Sequence, residues 1–121
     1  MSHEQTTDDN SEASAARDIA EVPAVEVVTT VAIHLMSAAA VRCGLAEDIS
    51  EDAGPDLAEA RILINALAGL IHASAPDLGS AHAGPLRDGL KSLQLAFREA
   101  SAIPDDPGTG PGESLRNPPR V

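Results

Sequence analysis

Apolar residues recur every three or four positions in three stretches of this 121-residue chain, which is the spacing of one face of an α-helix. Prolines and glycines separate the stretches and mark helix starts and ends. The spacing therefore predicts helices over about 24–43, 55–74 and 85–102. A short strand over 25–29 is the alternative, but β-branched residues lower helix propensity only weakly. The predicted fold class is all-α: a three-helix antiparallel bundle with disordered N- and C-terminal tails.

The two ends of the chain have compositions that favour disorder. Residues 1–18 carry five acidic residues and one arginine, with little apolar content beyond alanine, so they cannot bury enough surface to offset the entropy lost on ordering. Residues 104–121 carry five prolines and three glycines, which interrupt helices and sheets. We therefore predict a disordered acidic tail over 1–18, a three-helix domain over 19–103 and a disordered Pro/Gly-rich tail over 104–121.

Charge and aromatic content argue against direct binding to nucleic acid. The chain has 19 acidic against eight basic residues, a formal net charge of −11, one Phe, and no Trp or Tyr. Such a surface repels phosphates, and it offers no aromatic platforms on which bases could stack. We expect no nucleic-acid partner.

The compartment is predicted from the single cysteine and from the absence of targeting signals. Cys43 has no intrachain partner, which favours a reducing environment. The first residues lack the basic and apolar regions of a signal peptide. The most apolar stretch, over 24–41, is interrupted by polar residues such as Glu26 and His34, whereas a membrane span needs about 20 predominantly apolar residues. We expect a cytoplasmic protein with no membrane partner, and the abundance of residues with GC-rich codons suggests a bacterial genome.

The acidic turn before the second helix comes closest to a metal-binding motif. Six of its residues fall at the ligand positions of a calcium-binding loop: Asp48, Ser50, Asp52, Gly54, Asp56 and Glu59. Ala53 stands where that loop needs glycine, and Pro55 lacks the N–H group that usually pairs neighbouring loops. We therefore predict a solvated acidic loop over 47–59, with cation binding as the alternative.

The sequence offers little support for a transition-metal site or for catalysis. His34, Cys43, His72 and His82 form no closely spaced pair of the kind that structural zinc sites use. Cys43 ends a predicted helix, where the helix dipole raises the pKa of a thiol. Nucleophile-elbow, phosphate-loop and dinucleotide motifs do not occur. We predict no catalytic residues, no cofactor, no metal and no enzymatic activity.

Small residues recur on one side of the second and third predicted helices. The set comprises Ala66, Gly69, Ala73, Gly89 and Ala96. A glycine inside a helix costs about 0.5–1 kcal/mol relative to alanine, and this cost is offset where the bare backbone lets another helix approach closely. We predict tight helix crossings, with a ligand against the bare backbone as the alternative.

The first helix carries more apolar surface than two neighbouring helices need to cover. A core of about 80 residues is also small enough that oligomerisation often supplies missing stability. The third helix concentrates basic residues, which form either a solvated face or a docking strip for an acidic partner. The predicted interaction surface comprises Val27, Val31, Met36, Ala38, Arg87, Lys91 and Arg98.

The second and third helices resemble a bacterial family. Residues 56–70, DLAEARILINALAGL, are similar to a stretch of the bacterial domain-of-unknown-function family numbered 1844, and residues 86–99, LRDGLKSLQLAFRE, follow where that family has its next helix. The resemblance covers about 25–100 and includes the small-residue end of the first helix. Residues 74–84 depart from the shorter turn found in many members. The resemblance implies a small soluble bacterial helical protein with no assigned activity.

Two functional hypotheses follow. The first is a non-enzymatic helical module that self-associates as a homo-oligomer or docks a cytoplasmic protein partner through its first helix. The alternative is a small ligand- or metal-binding protein. It would use the acidic loop over 47–59, or the polar strip of the first helix formed by Glu26, Thr30 and His34, together with Asn65 and His72.

Overall fold

Three long helices make up most of the protein. The computed structural model describes residues 20–45 and 54–116. Within them, α1 spans Ala24–Arg42, α2 spans Leu57–Leu78, α3 spans Ser80–Ala100, and a single turn, α4, spans Glu113–Arg116. The described residues contain no strand, and each of the three long helices packs against the other two. The predicted all-α three-helix antiparallel bundle is confirmed, and residues 25–29 are helical rather than extended.

Local sequence signals account for both ends of α1. The carbonyl of Pro23 accepts hydrogen bonds from the N–H groups of Glu26 and Val27, which starts the helix. At the other end, Gly44 has a positive φ of 86°. The N–H of Leu45 bonds the carbonyl of Ala40 and the N–H of Gly44 bonds that of Val41. These two bonds form a Schellman motif, for which a glycine just past the helix is the usual requirement.

The α2–α3 pair is a hairpin with one residue between its helices. Gly79 has φ 81° and ψ 161°, a conformation that favours glycine, and it separates Leu78 from Ser80. Arg61 and Phe97 are equally far from Gly79 in sequence, on opposite sides of it. The Arg61 guanidinium lies 4.9 Å from the centre of the Phe97 ring, so residues at matching distances from the turn are in contact. The helices therefore run antiparallel along their whole length.

The predicted helices over 55–74 and 85–102 leave residues 75–84 as a loop. In the structure these residues are helical apart from Gly79. Each of Pro76 and Pro85 lies inside a helix and removes one backbone hydrogen bond. Both prolines lie on the exposed side, as do His72 and Ala81, whose carbonyls lose those bonds. Because these carbonyls belong to exposed residues, water can replace the missing N–H groups, so neither proline ends its helix.

The core is supplied mainly by α2 and α3, whereas α1 contributes small residues. Ile64 and Leu67 of α2 are the largest fully buried side chains. The buried residues of α1 are Ala32 and Ala39, both 0% exposed. The main buried cluster consists of Ala32, Ala39, Cys43, Ala60, Ile64, Leu67, Ile71, Leu78, Leu86, Leu93 and Phe97.

A close crossing of α1 and α3 occurs at Gly89. A Cβ atom built on Gly89 would lie 2.0 Å from Cε of Met36. The Met36 side chain therefore occupies the space that a side chain at position 89 would need. The space left at this glycine is therefore filled by a side chain of α1, whereas the sequence predicts a close approach of another backbone.

Residues 104–116 lie against the bundle, which corrects the prediction of a mobile tail for this part of the chain. Arg61 donates to both carboxylate oxygens of Asp105, at 2.9 and 3.2 Å. The Gln94 amide donates to the carbonyl of Pro111 at 3.0 Å, and Oδ1 of Asn65 accepts from the N–H of Gly112 at 2.7 Å. These contacts join residues far apart in sequence, so local composition could not reveal them. The predicted tail over 1–18 and the rest of the C-terminal tail, 117–121, lie outside the described residues.

A first prediction concerns the contact between Met36 and Gly89 and its effect on stability. Gly89→Leu should lower the free energy of unfolding by about 1–3 kcal/mol, because the new side chain overlaps Met36. Gly84→Leu is the matched control, because Gly84 also lies in α3 and has nothing within 4 Å of a built Cβ. Urea unfolding measures both. Adding Met36→Ala to Gly89→Leu should recover part of the loss, and no recovery would contradict the assigned contact.

Gly112 makes a second prediction. Gly112→Ala should destabilise the packed segment, because the residue has φ 76° and a Cβ would lie 2.7 Å from Cβ of Ala68. Gly108→Ala shares the positive φ but meets nothing within 4 Å, so it reports the backbone strain alone. Amide hydrogen exchange over 105–116 should accelerate more in Gly112→Ala than in Gly108→Ala. Equal acceleration would mean that the close contact with α2 has no energetic importance.

Candidate functional site

The side of α1 that faces away from the other helices is largely apolar. Val27, Val31, Ile33 and Val41 are 39%, 46%, 53% and 42% exposed, respectively. We call the following residues the α1 outer face: Val27, Thr30, Val31, Ile33, His34, Ser37, Ala38 and Val41. A shallow surface depression is lined by six of them: Thr30, Ile33, His34, Ser37, Ala38 and Val41. The titratable side chain of this face is His34, and the exposed carboxylate of Glu26 lies one turn before Thr30, at the N-terminal end of the face.

Helical geometry explains why these side chains point outward. Ala32 and Ala39 are seven residues apart and face the core. Val27, His34 and Val41 follow the same seven-residue spacing on the opposite side, with Thr30 and Ser37 between them. The small inner residues let α1 lie close to its neighbours, while four of its larger β-branched residues, Val27, Val31, Ile33 and Val41, stay at the surface.

The predicted members of the interaction surface on α1 do not all lie on this face. Val27 and Val31 do, and Ala38 is half-buried at its edge. Met36 is a correction, because its side chain packs inward against the core and Gly89. Ile33 and Val41 lie on this face but are absent from the predicted interaction surface. Their positions relative to the core-facing alanines would have indicated that they are exposed.

The length and apolar composition of two helices also meet a simple test for membrane spans. Judged only by these properties, α1 and α2 are each long and apolar enough to cross a membrane. The core helix of a soluble protein passes the same test. In α2 the apolar side forms the core of the bundle, which accounts for its composition.

The basic residues predicted on α3 separate into two groups. Arg87 and Lys91 lie one turn apart and line a half-open cleft of about 270 Å³ between α2 and α3. Arg98 lies elsewhere and donates to the carbonyl of Asp105 at 3.1 Å. His72 also lines the cleft, which places it away from Thr30 and His34 of the polar strip. Asn65 binds the Gly112 N–H, so the alternative polar site is not assembled in one place.

The predicted acidic loop is described only at its C-terminal end. Positions 48, 50 and 52 lie outside the described residues. Asp56 has a structural role, because its side chain accepts from the N–H of Glu59 at 3.2 Å and caps α2. Oδ2 of Asp56 also lies 3.6 Å from Nη1 of Arg42, which forms an ion pair. In the part of the chain that the structure describes, no three His, Cys, Asp or Glu side chains come together as a metal site.

Cys43 is a buried residue at the end of α1. It is 4% exposed, and burial raises the pKa of its thiol because the charged thiolate is poorly solvated there. A raised pKa disfavours the nucleophilic form at neutral pH. The environment fits a packing role for this residue.

The fold and surfaces define a small three-helix bundle with one uncovered apolar helix face. The chain belongs to the family described as Domain of unknown function (DUF1844), whose model matches residues 24–99. This match covers all of α1 and α2 and α3 up to Glu99, and it confirms the resemblance seen in the sequence. No curated protein and no solved structure matches the chain.

The buried thiol makes a third prediction, about alkaline pH. The neutral thiol is favoured in the folded protein, so its contribution to stability is complete below the pKa of the unfolded thiol. That contribution is lost as pH rises above about 8.5, through the folded pKa. Urea unfolding at pH 7 and pH 10 should show a larger loss in the wild type than in Cys43→Ala. Parallel losses in both proteins would refute this assignment.

Proposed function

We propose that this protein is a non-enzymatic helical module that forms a homodimer through the α1 outer face, in a reducing compartment such as the bacterial cytoplasm. The observation that carries the proposal is that α1, an apolar helix of 19 residues, leaves Val27, Val31, Ile33 and Val41 exposed while its fully buried residues are two alanines. Exposed apolar residues that share one continuous face, unlike scattered ones, are typical of interaction sites.

The charge distribution favours a second copy of the chain as the occupant. The protein carries a formal net charge of −11, so most of its surface repels another copy. The α1 outer face is the exception, because α1 carries only one acidic residue, Glu26, and one basic residue, Arg42, at opposite ends. Two copies can meet there without burying a formal charge in the middle of the contact.

The sequence of α1 is also compatible with a twofold antiparallel pairing. A twofold axis beside His34 would place Val27 of one copy opposite Val41 of the other, and Thr30 opposite Ala38. The same axis would place Val31 opposite Ser37. Val27, Val31 and Val41 then each face a small or β-branched residue, which is compatible with close helix packing. Each end of the pair would carry one Glu26 and one Arg42, so like charges are kept apart.

The length of α1 limits the strength of this contact. A helix of 19 residues is about 28 Å long, and its outer face is about 10 Å wide. The resulting area of about 280 Å² per copy is well below the roughly 800 Å² per partner of standard specific interfaces, as in weak and transient contacts. We therefore expect association that depends on concentration, with a Kd on the order of micromolar rather than nanomolar.

A fourth prediction tests the dimer directly. Val31→Asp should weaken self-association of the full chain at least about tenfold, because it places an unpaired carboxylate in the contact. Ile62→Asp is the matched control, because Ile62 is 63% exposed on α2, outside the α1 outer face. Sedimentation velocity over a range of concentrations measures the effect, and circular dichroism checks that both variants fold.

The control and the wild type should show the same dimerisation. A wild-type chain that stays monomeric at millimolar concentration would refute the proposal. Equal weakening by Val31→Asp and Ile62→Asp would also refute it, because the added negative charge rather than the surface would then be responsible.

A further inference from the structure

A second surface, distinct from the α1 outer face, lies between α2 and α3. Its helical residues follow the spacing of one helix face on each side. The C-terminal segment closes one end at Gly112. The lining residues are Ala68, Ile71, His72, Arg87, Leu90, Lys91, Gln94 and Gly112.

The cleft has an apolar floor and a cationic rim. Ala68 and Ile71 are buried and Leu90 is half-buried, whereas Arg87 and Lys91 are exposed. Among the side chains that the structure describes, no carboxylate lies within 4.0 Å of either cation. By contrast, Arg42 and Arg61 each contact an aspartate. Arg98 also has no carboxylate within that distance in the described part of the chain, but it donates to the carbonyl of Asp105. Arg87 and Lys91, on the other hand, border the cleft one helical turn apart.

One wall of the cleft is held in place by contacts already described. The Gln94 amide is oriented by its bond to the Pro111 carbonyl, and Gly112 is fixed by its bond to Asn65. The absence of a side chain at Gly112 lets this segment lie directly on Ala68. The shape of the cleft therefore depends on packed elements and not on exposed loops alone, as expected of a largely pre-formed pocket.

We infer that this cleft binds a small amphipathic carboxylate, with the apolar part of the ligand on Ala68, Ile71 and Leu90 and its carboxylate between Arg87 and Lys91. Charge complementarity selects an anion, since both rim groups are cations and a charge-assisted bond to a carboxylate is stronger than a neutral one. The apolar floor selects an attached hydrocarbon group. A volume of about 270 Å³ suits a ligand of roughly ten heavy atoms.

An NMR titration of the full chain with octanoate tests this inference. Saturable shifts are expected at amides of 68–72, 87–94 and 112. Acetate keeps the carboxylate and octanol keeps the chain, so each should bind at least about tenfold more weakly than octanoate if both parts contribute. Inorganic phosphate is the probe for binding by the cationic rim alone.

Two single substitutions and a matched control locate the site. Arg87→Gln and Lys91→Gln should each weaken octanoate binding, and the double variant should lower the affinity about tenfold or more. Arg98→Gln removes the same charge from the same helix, outside the cleft, and should leave the affinity unchanged. Repeating the titration in Val31→Asp separates this site from self-association, because the cleft does not include the α1 outer face.

Four results would overturn the inference. Two concern octanoate itself: no saturable binding at millimolar concentration, or shifts centred on the α1 outer face. The third is an equal loss of affinity in Arg98→Gln and Arg87→Gln, and the fourth is binding of phosphate or octanol as tight as that of octanoate.

Discussion

The close approach of α1 to the hairpin determines how this protein distributes its apolar residues. Ala32 and Ala39 fill the contact with almost no side-chain volume, and Gly89 admits the end of Met36. Such close helix packing gains dispersion energy from backbone and small side-chain contacts. Its consequence is that α1 places its smallest residues inward. Val25 and Val28 still pack partly against the core, whereas Val27, Val31, Ile33 and Val41 are left at the surface.

A second set of contacts, polar rather than apolar, fixes the C-terminal segment. Asn65, Arg61 and Gln94 extend from α2 and α3 and bind residues 105–112. Two of these four hydrogen bonds use a backbone group of the segment, and the other two join Arg61 to the Asp105 carboxylate. A segment rich in proline and glycine has few side chains to bury, so such bonds are the interactions best able to hold it. The same contacts build one end of the cleft between the two helices.

The sequence was sufficient for the three helices and for part of the uncovered face, since both depend on local periodicity. The positions of Val27 and Val31 relative to the alanines follow from helical geometry alone. Met36 was assigned to the wrong side because an absent side chain on another helix, at Gly89, creates the space that it fills. That complementarity depends on how two distant segments cross, which no single stretch of sequence specifies.

The ends of helices were predicted less well, and the reasons are physical. Pro76 and Pro85 are strong local signals for a loop, but each costs only a hydrogen bond on an exposed side of its helix. Residues 104–116 have the composition of a linker, yet long-range bonds to the bundle hold them. The cleft was not predicted either, because it combines α2, α3 and Gly112, although Arg87 and Lys91 were recognised as notable.

Gly79 has a consequence for the assemblies open to this protein. The reversal of direction between α2 and α3 rests on a single residue with positive φ. A residue with a β-carbon at that position would favour one continuous helix through positions 57–100. The arm thus released could recover its lost contacts only on a neighbouring molecule, by domain exchange. Because the junction is one residue long, a single substitution at Gly79 is enough to change the hairpin of one molecule into a domain-exchanged assembly.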